Sequence, residues 1–303
     1  MSLRNSIFDG SHEKELFKHL NSVWGNVFNI YPQLPFTKIF DIKTLKVSRK
    51  ERDFLLKTNI DYTICNNRDR PLMCIEFDGM CHGYSRDGRY IQIVPDPVRK
   101  KKLELKLKIA KEHSFPFYII SYNETTYISE QIYLAIIDSI IGQTMTSILF
   151  PKKVNEYLEG AKDFTGTMDK GEVHDYIQDL IINAEVDLEL TWDPVSRKAS
   201  EIEKLLILKG ILKRYSYRFL SKPDLPEIKD ICDVEGLKKR MKAWDNIEWQ
   251  GCEVICETPM GKVMERVWVR NFEGAYVSPI IIAKNIAELI TFYKVAVQSG
   301  VKP

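Results

Sequence analysis

The chain is short of the features that would place it quickly. It has five histidines, six cysteines, 15 glycines and 13 prolines in 303 residues. So little Gly and Pro excludes collagen-like and linker-dominated chains. No unbroken apolar run approaches ~18 residues, so no membrane-spanning helix is expected. Met1 to Gly10 holds Arg4 but no apolar stretch of the kind that directs secretion. A cytoplasmic protein with no membrane partner is therefore expected, with Cys65, Cys74, Cys81, Cys232, Cys252 and Cys256 as free thiols. Cys252 and Cys256 have no second pair nearby and no histidine follows His174, which argues against zinc. GxGxxG, GxxxxGK[ST], GxSxG and HExxH motifs are all missing.

What is present is ordinary globular material, 44% hydrophobic and 28% charged, enough to bury a core without staples. The net charge of +2 is uneven. Residues 1–150 carry 21 Lys and Arg against 17 Asp and Glu, a net of +4, and the remainder nets −2. The basic residues cluster at Lys43–Lys57 and again from Arg99 to Lys111. Such clusters suit a polyanion, although, taken alone, a solvated helix face is the simpler explanation.

Periodicity supplies the elements. Ser11 caps a helix to about Trp24, with Leu16, Phe17 and Leu20 on one face. Ile60–Cys65 alternates as a half-buried strand. The Asn66–Pro71 turn joins it to Leu72–Asp78, making an antiparallel hairpin. Residues 79–95 read as a loop. Asp96-Pro97 opens a helix to about His113, with Leu103, Leu107 and Ala110 as its stripe and Leu105 and Ile109 widening it. Phe117–Ile120 is a buried strand, and a helix covers 129–141. The pattern relaxes from Gly142 to Pro151, which places a domain boundary there: 1–148 and 149–303. The second domain reads as mainly helical α+β, with helices near 172–184, 198–215, 234–244 and 281–297 and a hairpin over 252–269.

The chemistry concentrates on the first hairpin. Glu76 and Asp78 are two apart on one strand and share a face, and pairing brings Asp61 within ~5 Å of it. Carboxylates are depleted in strands, and three together repel unless a cation neutralises them. A hard divalent cation held there binds a phosphodiester and lowers the pKa of an attacking water. His82, in the following loop, is a candidate base or phosphate contact.

Asp61, then Ile75-Glu76-Phe77-Asp78-Gly79, His82 and Asp96-x-x-Arg99 opening a basic helix, resembles the PD-(D/E)XK nuclease superfamily. The nearest branch is that of very-short-patch-repair endonucleases and related bacterial domains. The resemblance covers residues 11–125. It implies a restriction-endonuclease-like α/β core, a small mixed sheet flanked by helices. It also implies a metal-dependent DNA endonuclease using Mg²⁺, or Mn²⁺ in its place. Asp61, Glu76 and Asp78 would hold the metal, and Glu13 on the first helix would join them. Arg99, Lys100, Lys102 and Lys106 would bind the nucleic-acid backbone. The signature lysine is replaced by Asp78, and its task falls to His82 or to Lys102 on the 97–113 helix, with Lys106 one turn further out. If nothing replaces it, the fold serves as a non-cleaving nucleic-acid-binding or assembly module. Oligomeric state stays open, a homodimer included.

Overall fold

The computed structural model describes residues 11–77, 82–84, 90–92, 96–120, 130–165, 169–222, 224, 235–236, 239, 249–270 and 277–303. They form a mixed α/β protein of two compact units.

Unit one begins with α1 (Ser11–Trp24) and β1 (Asn29–Pro35), followed by a short 3-10 turn at Phe36–Lys38. Next comes α2 (Arg49–Leu55), capped by a reciprocal box in which Ser48 and Glu51 each bind the other's backbone N–H. Then come β2 (Asn59–Cys65), β3 (Pro71–Phe77), a small hairpin of β4 (His82–Tyr84) and β5 (Tyr90–Gln92), α3 (Pro97–Glu112) and β6 (Phe117–Ile120). The sheet order is β1-β2-β3-β6. The first two pairings are antiparallel and β3–β6 is parallel, so the chain must cross over between β3 and β6. The β2–β3 turn is held by the Asn66 side chain, which accepts from the backbone N–H groups of Arg68 and Arg70. Asp96 caps α3 by accepting from the Arg99 N–H, and Pro97 sits in its first turn.

Both faces of this sheet are covered. On one, Cys74 and Phe117 pack with Leu105, Ile109 and Ala110 of α3 and with Phe36, Phe40 and Leu55. On the other, the Tyr62 hydroxyl donates to the Glu13 carbonyl of α1, whose Leu16, Leu20 and Trp24 are buried.

Unit two holds α4 (Glu130–Thr165), α5 (Lys170–Trp192), α6 (Pro194–Leu208), an antiparallel sheet β7-β8-β9 (Arg214–Lys222, Trp249–Thr258, Gly261–Arg270) and α7 (Pro279–Gln298). The division between units falls between β6 and α4, earlier than the sequence suggests, and residues 142–151 lie inside one continuous helix. Gly142 is there for packing. A Cβ on it would come within 2.7 Å of the Trp192 carbonyl oxygen and the Asp193 Cα. The segment Leu134–Ala161 is also long and apolar enough to cross a membrane by length and composition, and 56% of its most apolar window is buried inside the fold. The expected helix near 198–215 ends at Leu208, and after a turn β7 begins at Arg214. The helix expected at 234–244 lies mostly outside the described residues.

Buried Asp193 ties unit two together. Its carboxylate caps α6 by accepting from the Val195 and Ser196 N–H groups. It also accepts from Ser139 of α4 and Asn285 of α7, each at 3.2 Å. Burial raises its pKa to about 6 against these bonds. The four described cysteines, Cys65, Cys74, Cys252 and Cys256, are buried free thiols.

Candidate functional site

The candidate site lies where β2, β3 and α3 meet. Tyr62 pairs with Ile75 in the antiparallel register, so the next step along brings Asp61 opposite Glu76 on one face. Alternation turns that face toward α3, the side where Thr63 and Cys74 meet at 3.7 Å. Asp61 is half-buried and accepts from the Gln33 side-chain amide at 3.1 Å. Gln33 has a left-handed backbone, φ 53°, inside β1. A non-glycine residue held there is over-determined by its surroundings, and here it delivers an amide donor to the carboxylate.

Glu76 is only 7% exposed. Its Oε1 meets the ammonium of Lys106 at 2.5 Å, and the same ammonium donates to the Asn59 carbonyl at 2.7 Å. Lys106 is itself 4% exposed. Burial, first, and the neighbouring Asp61 charge raise the Glu76 pKa to about 8, while Lys106 and Arg99 pull it down. A buried ammonium survives in such a place only with a carboxylate and a carbonyl to receive its protons.

Lys106 was expected at the surface on the nucleic-acid backbone, and the structure corrects this: it faces the core. The reason is the rotation of α3. Its buried residues are Leu105, Lys106, Ile109 and Ala110, whereas Leu103 and Leu107 are half-buried. Arg99 lies seven residues before Lys106, two turns back on the same face, and its charge reaches Glu76. Lys102 is turned off that line. It is exposed, and its ammonium lies 5.2 Å from the centre of the Phe54 ring. Lys100 is exposed and lies 3.9 Å from Glu104. The lysine facing Glu76 is therefore Lys106, not Lys102.

The remaining candidates separate. The Glu13 carbonyl binds Tyr62, on the sheet face opposite Asp61 and Glu76. Among the described residues no three His, Cys, Asp or Glu side chains gather to hold one metal ion. Asp78 lies outside the described residues. His82 opens β4, its backbone paired with Gln92. Sequence reasoning missed Gln33 and the Asn59 carbonyl. Nothing in the pattern around Pro32 and Pro35 marks Gln33, and a backbone acceptor has no sequence signal.

Comparison with protein-family models, with curated proteins and with solved structures finds no match for this chain.

Proposed function

We propose that unit one is a restriction-endonuclease-like core and that the chain is a metal-dependent endonuclease hydrolysing phosphodiester bonds in DNA. The observation that carries this is the trio Asp61, Glu76 and Lys106: two carboxylates on adjacent strands, with a lysine from the following helix touching one of them. The donor set suits a small hard cation, because Mg²⁺ is held by one or two carboxylates, with water and substrate phosphate completing its shell. Asp61 and Glu76 would hold it, with Asp78 as a further ligand and Mn²⁺ as a substitute. The bound cation would polarise the phosphate and acidify a water.

This chain's own residues do the rest. Gln33 fixes the Asp61 carboxylate from the β1 side. Lys106 takes the place that the signature lysine leaves to Asp78, supplying positive charge beside the phosphate as negative charge grows on it. Arg99, Lys100 and Lys102 hold the backbone, and His82 stands as base or phosphate contact.

The same ion pair favours a second reading. With Glu76 buried and engaged by Lys106, the core would bind nucleic acid without cutting it.

Plasmid nicking separates the two. On the first reading the protein nicks supercoiled DNA with Mg²⁺ or Mn²⁺, EDTA stops it, and Asp61→Asn and Glu76→Gln each lower the rate at least 100-fold while binding in EDTA persists. Binding with no nicking in either cation leaves the second reading standing.

A further inference from the structure

The sheet of unit two has one face against α7. Cys252, Val254, Val267 and Val269 are buried, Tyr215 meets Phe292 edge-on, and Lys294 binds Glu265. Alternation turns Arg214, Arg218 and Lys222 of β7, Glu253 and Glu257 of β8, and Lys262 and Arg266 of β9 to the opposite face. Register confirms it. Arg218 and Arg266 both pair across the strands with Glu253, and Arg214 and Lys262 both pair with Glu257.

Among the described side chains, five cations against two carboxylates leave this face with a net charge of +3. They are presented to solvent: the side chains of Arg214, Lys262 and Arg218 are 76, 70 and 65% exposed, and Lys222 is exposed. Glu253, by contrast, is buried between its two arginines. The cations stand in two rows on the outer strands. Within a row they are four residues apart, about 13 Å along the strand, and the rows are about 10 Å apart. Trp268 lies flat between them. Its ring covers Gly251 so closely that a Cβ there would fall 2.6 Å from it, and the Lys222 ammonium sits 4.2 Å from the ring centre.

We propose that this charged face of β7-β8-β9 is a nucleic-acid-binding surface. Rows of guanidinium and ammonium groups match the repeating charge of a phosphate backbone, and arginine forks suit its oxygens. An indole lying flat on a sheet, with a movable lysine over its ring, is a platform on which a base stacks. A second anion-binding surface would let unit two hold the substrate strand while unit one acts on it. To that extent the proposal rests on the reading of nucleic acid as substrate.

The test is fluorescence anisotropy of the full chain with labelled DNA, as duplex and as single strand, in EDTA over a series of salt concentrations. The triple variant Arg214→Gln/Lys222→Gln/Lys262→Gln leaves the buried Glu253 pairs intact. It should bind at least tenfold more weakly at low salt, with a slope of log affinity against log salt shallower by roughly 2–3. Glu257→Gln removes a competing carboxylate and should tighten binding. Thermal melting checks that both variants fold. Wild-type affinity and slope in the triple variant overturn the proposal even if the protein nicks DNA. Weakened binding without nicking supports it while the cleavage reading fails. Equal capture by vesicles rich in phosphatidylserine, lost in the same variant, overturns it in favour of a membrane surface.

Discussion

Replacing Lys106 by methionine keeps the length of the side chain and removes the charge that Glu76 faces. Two penalties follow. The Asn59 carbonyl loses its donor, which costs about 1 kcal/mol at any pH. Glu76 is left buried beside Asp61 with Arg99 as the cation still in reach, and breaking a buried pair from one side costs about 3–5 kcal/mol when the charge stays. Proton uptake sets a ceiling on that second penalty. In the wild type the Glu76 pKa already stands at about 8, so below that pH the carboxyl holds its proton with or without Lys106. The sign follows from linkage. Stability from a raised pKa is full below pH 4.5 and is lost as pH rises through about 8, and removing Lys106, which pulls that pKa down, keeps the variant protonated to higher pH. The second penalty therefore opens above about pH 8, by at most about 1.4 kcal/mol per pH unit. Lys106→Met should lose about 1 kcal/mol at pH 6 and about 2 kcal/mol at pH 9. Urea denaturation at both pH values measures it. The double variant Glu76→Gln/Lys106→Met should lose less at pH 9 than the single one. A Lys106→Met penalty that is the same at pH 6 and pH 9 would refute the assignment of Lys106 as the cation that favours ionised Glu76.

Two further outcomes test unit two. Asp193 has its folded pKa raised from 3.8 to about 6 by burial, so its contribution is greatest below pH 4 and is lost as pH rises through about 6; relative to Asp193→Asn, the wild type should lose up to about 3 kcal/mol across that window, read from denaturation curves of both proteins. Gly142→Ala gains about 1 kcal/mol in helix propensity but forces apart backbone that stands 2.7 Å from the new methyl, so a net loss of about 1–2 kcal/mol is expected from overpacking, and an unchanged melting temperature would show that the α4 crossing relaxes freely.

The strands and helix that build the candidate site are legible because their signals are local. Alternation marks β2 and β3, Asn66 marks their turn, and Asp96-Pro97 marks the start of α3. Asp61 and Glu76 follow directly from strand parity. The orientation of α3 is not local. Leucines at 103, 105 and 107 leave several faces nearly equal in apolarity, and contact with Phe117 and Cys74 selects the one that carries Lys106 inward. Gly142 and Pro151 read as a boundary because a close helix crossing and a helix-borne proline leave the same trace as a linker. In β7, Tyr215, Tyr217 and Phe219 do alternate with Arg214, Ser216 and Arg218, but the helical run that precedes them masks the change of period.

The parallel pairing of β3 with β6 has an evolutionary consequence. It obliges the chain to leave the sheet at Phe77, directly beyond Glu76, and to return through α3, which delivers Lys106 to that same glutamate. The stretch between Phe77 and Pro97 thus begins and ends at the candidate site, yet among the described residues no strand pairing of the four-stranded sheet involves it. Lengthening such a connection costs little, since closure entropy grows only with the logarithm of its length. Insertions there can be sampled without renegotiating the core that holds the charged pair.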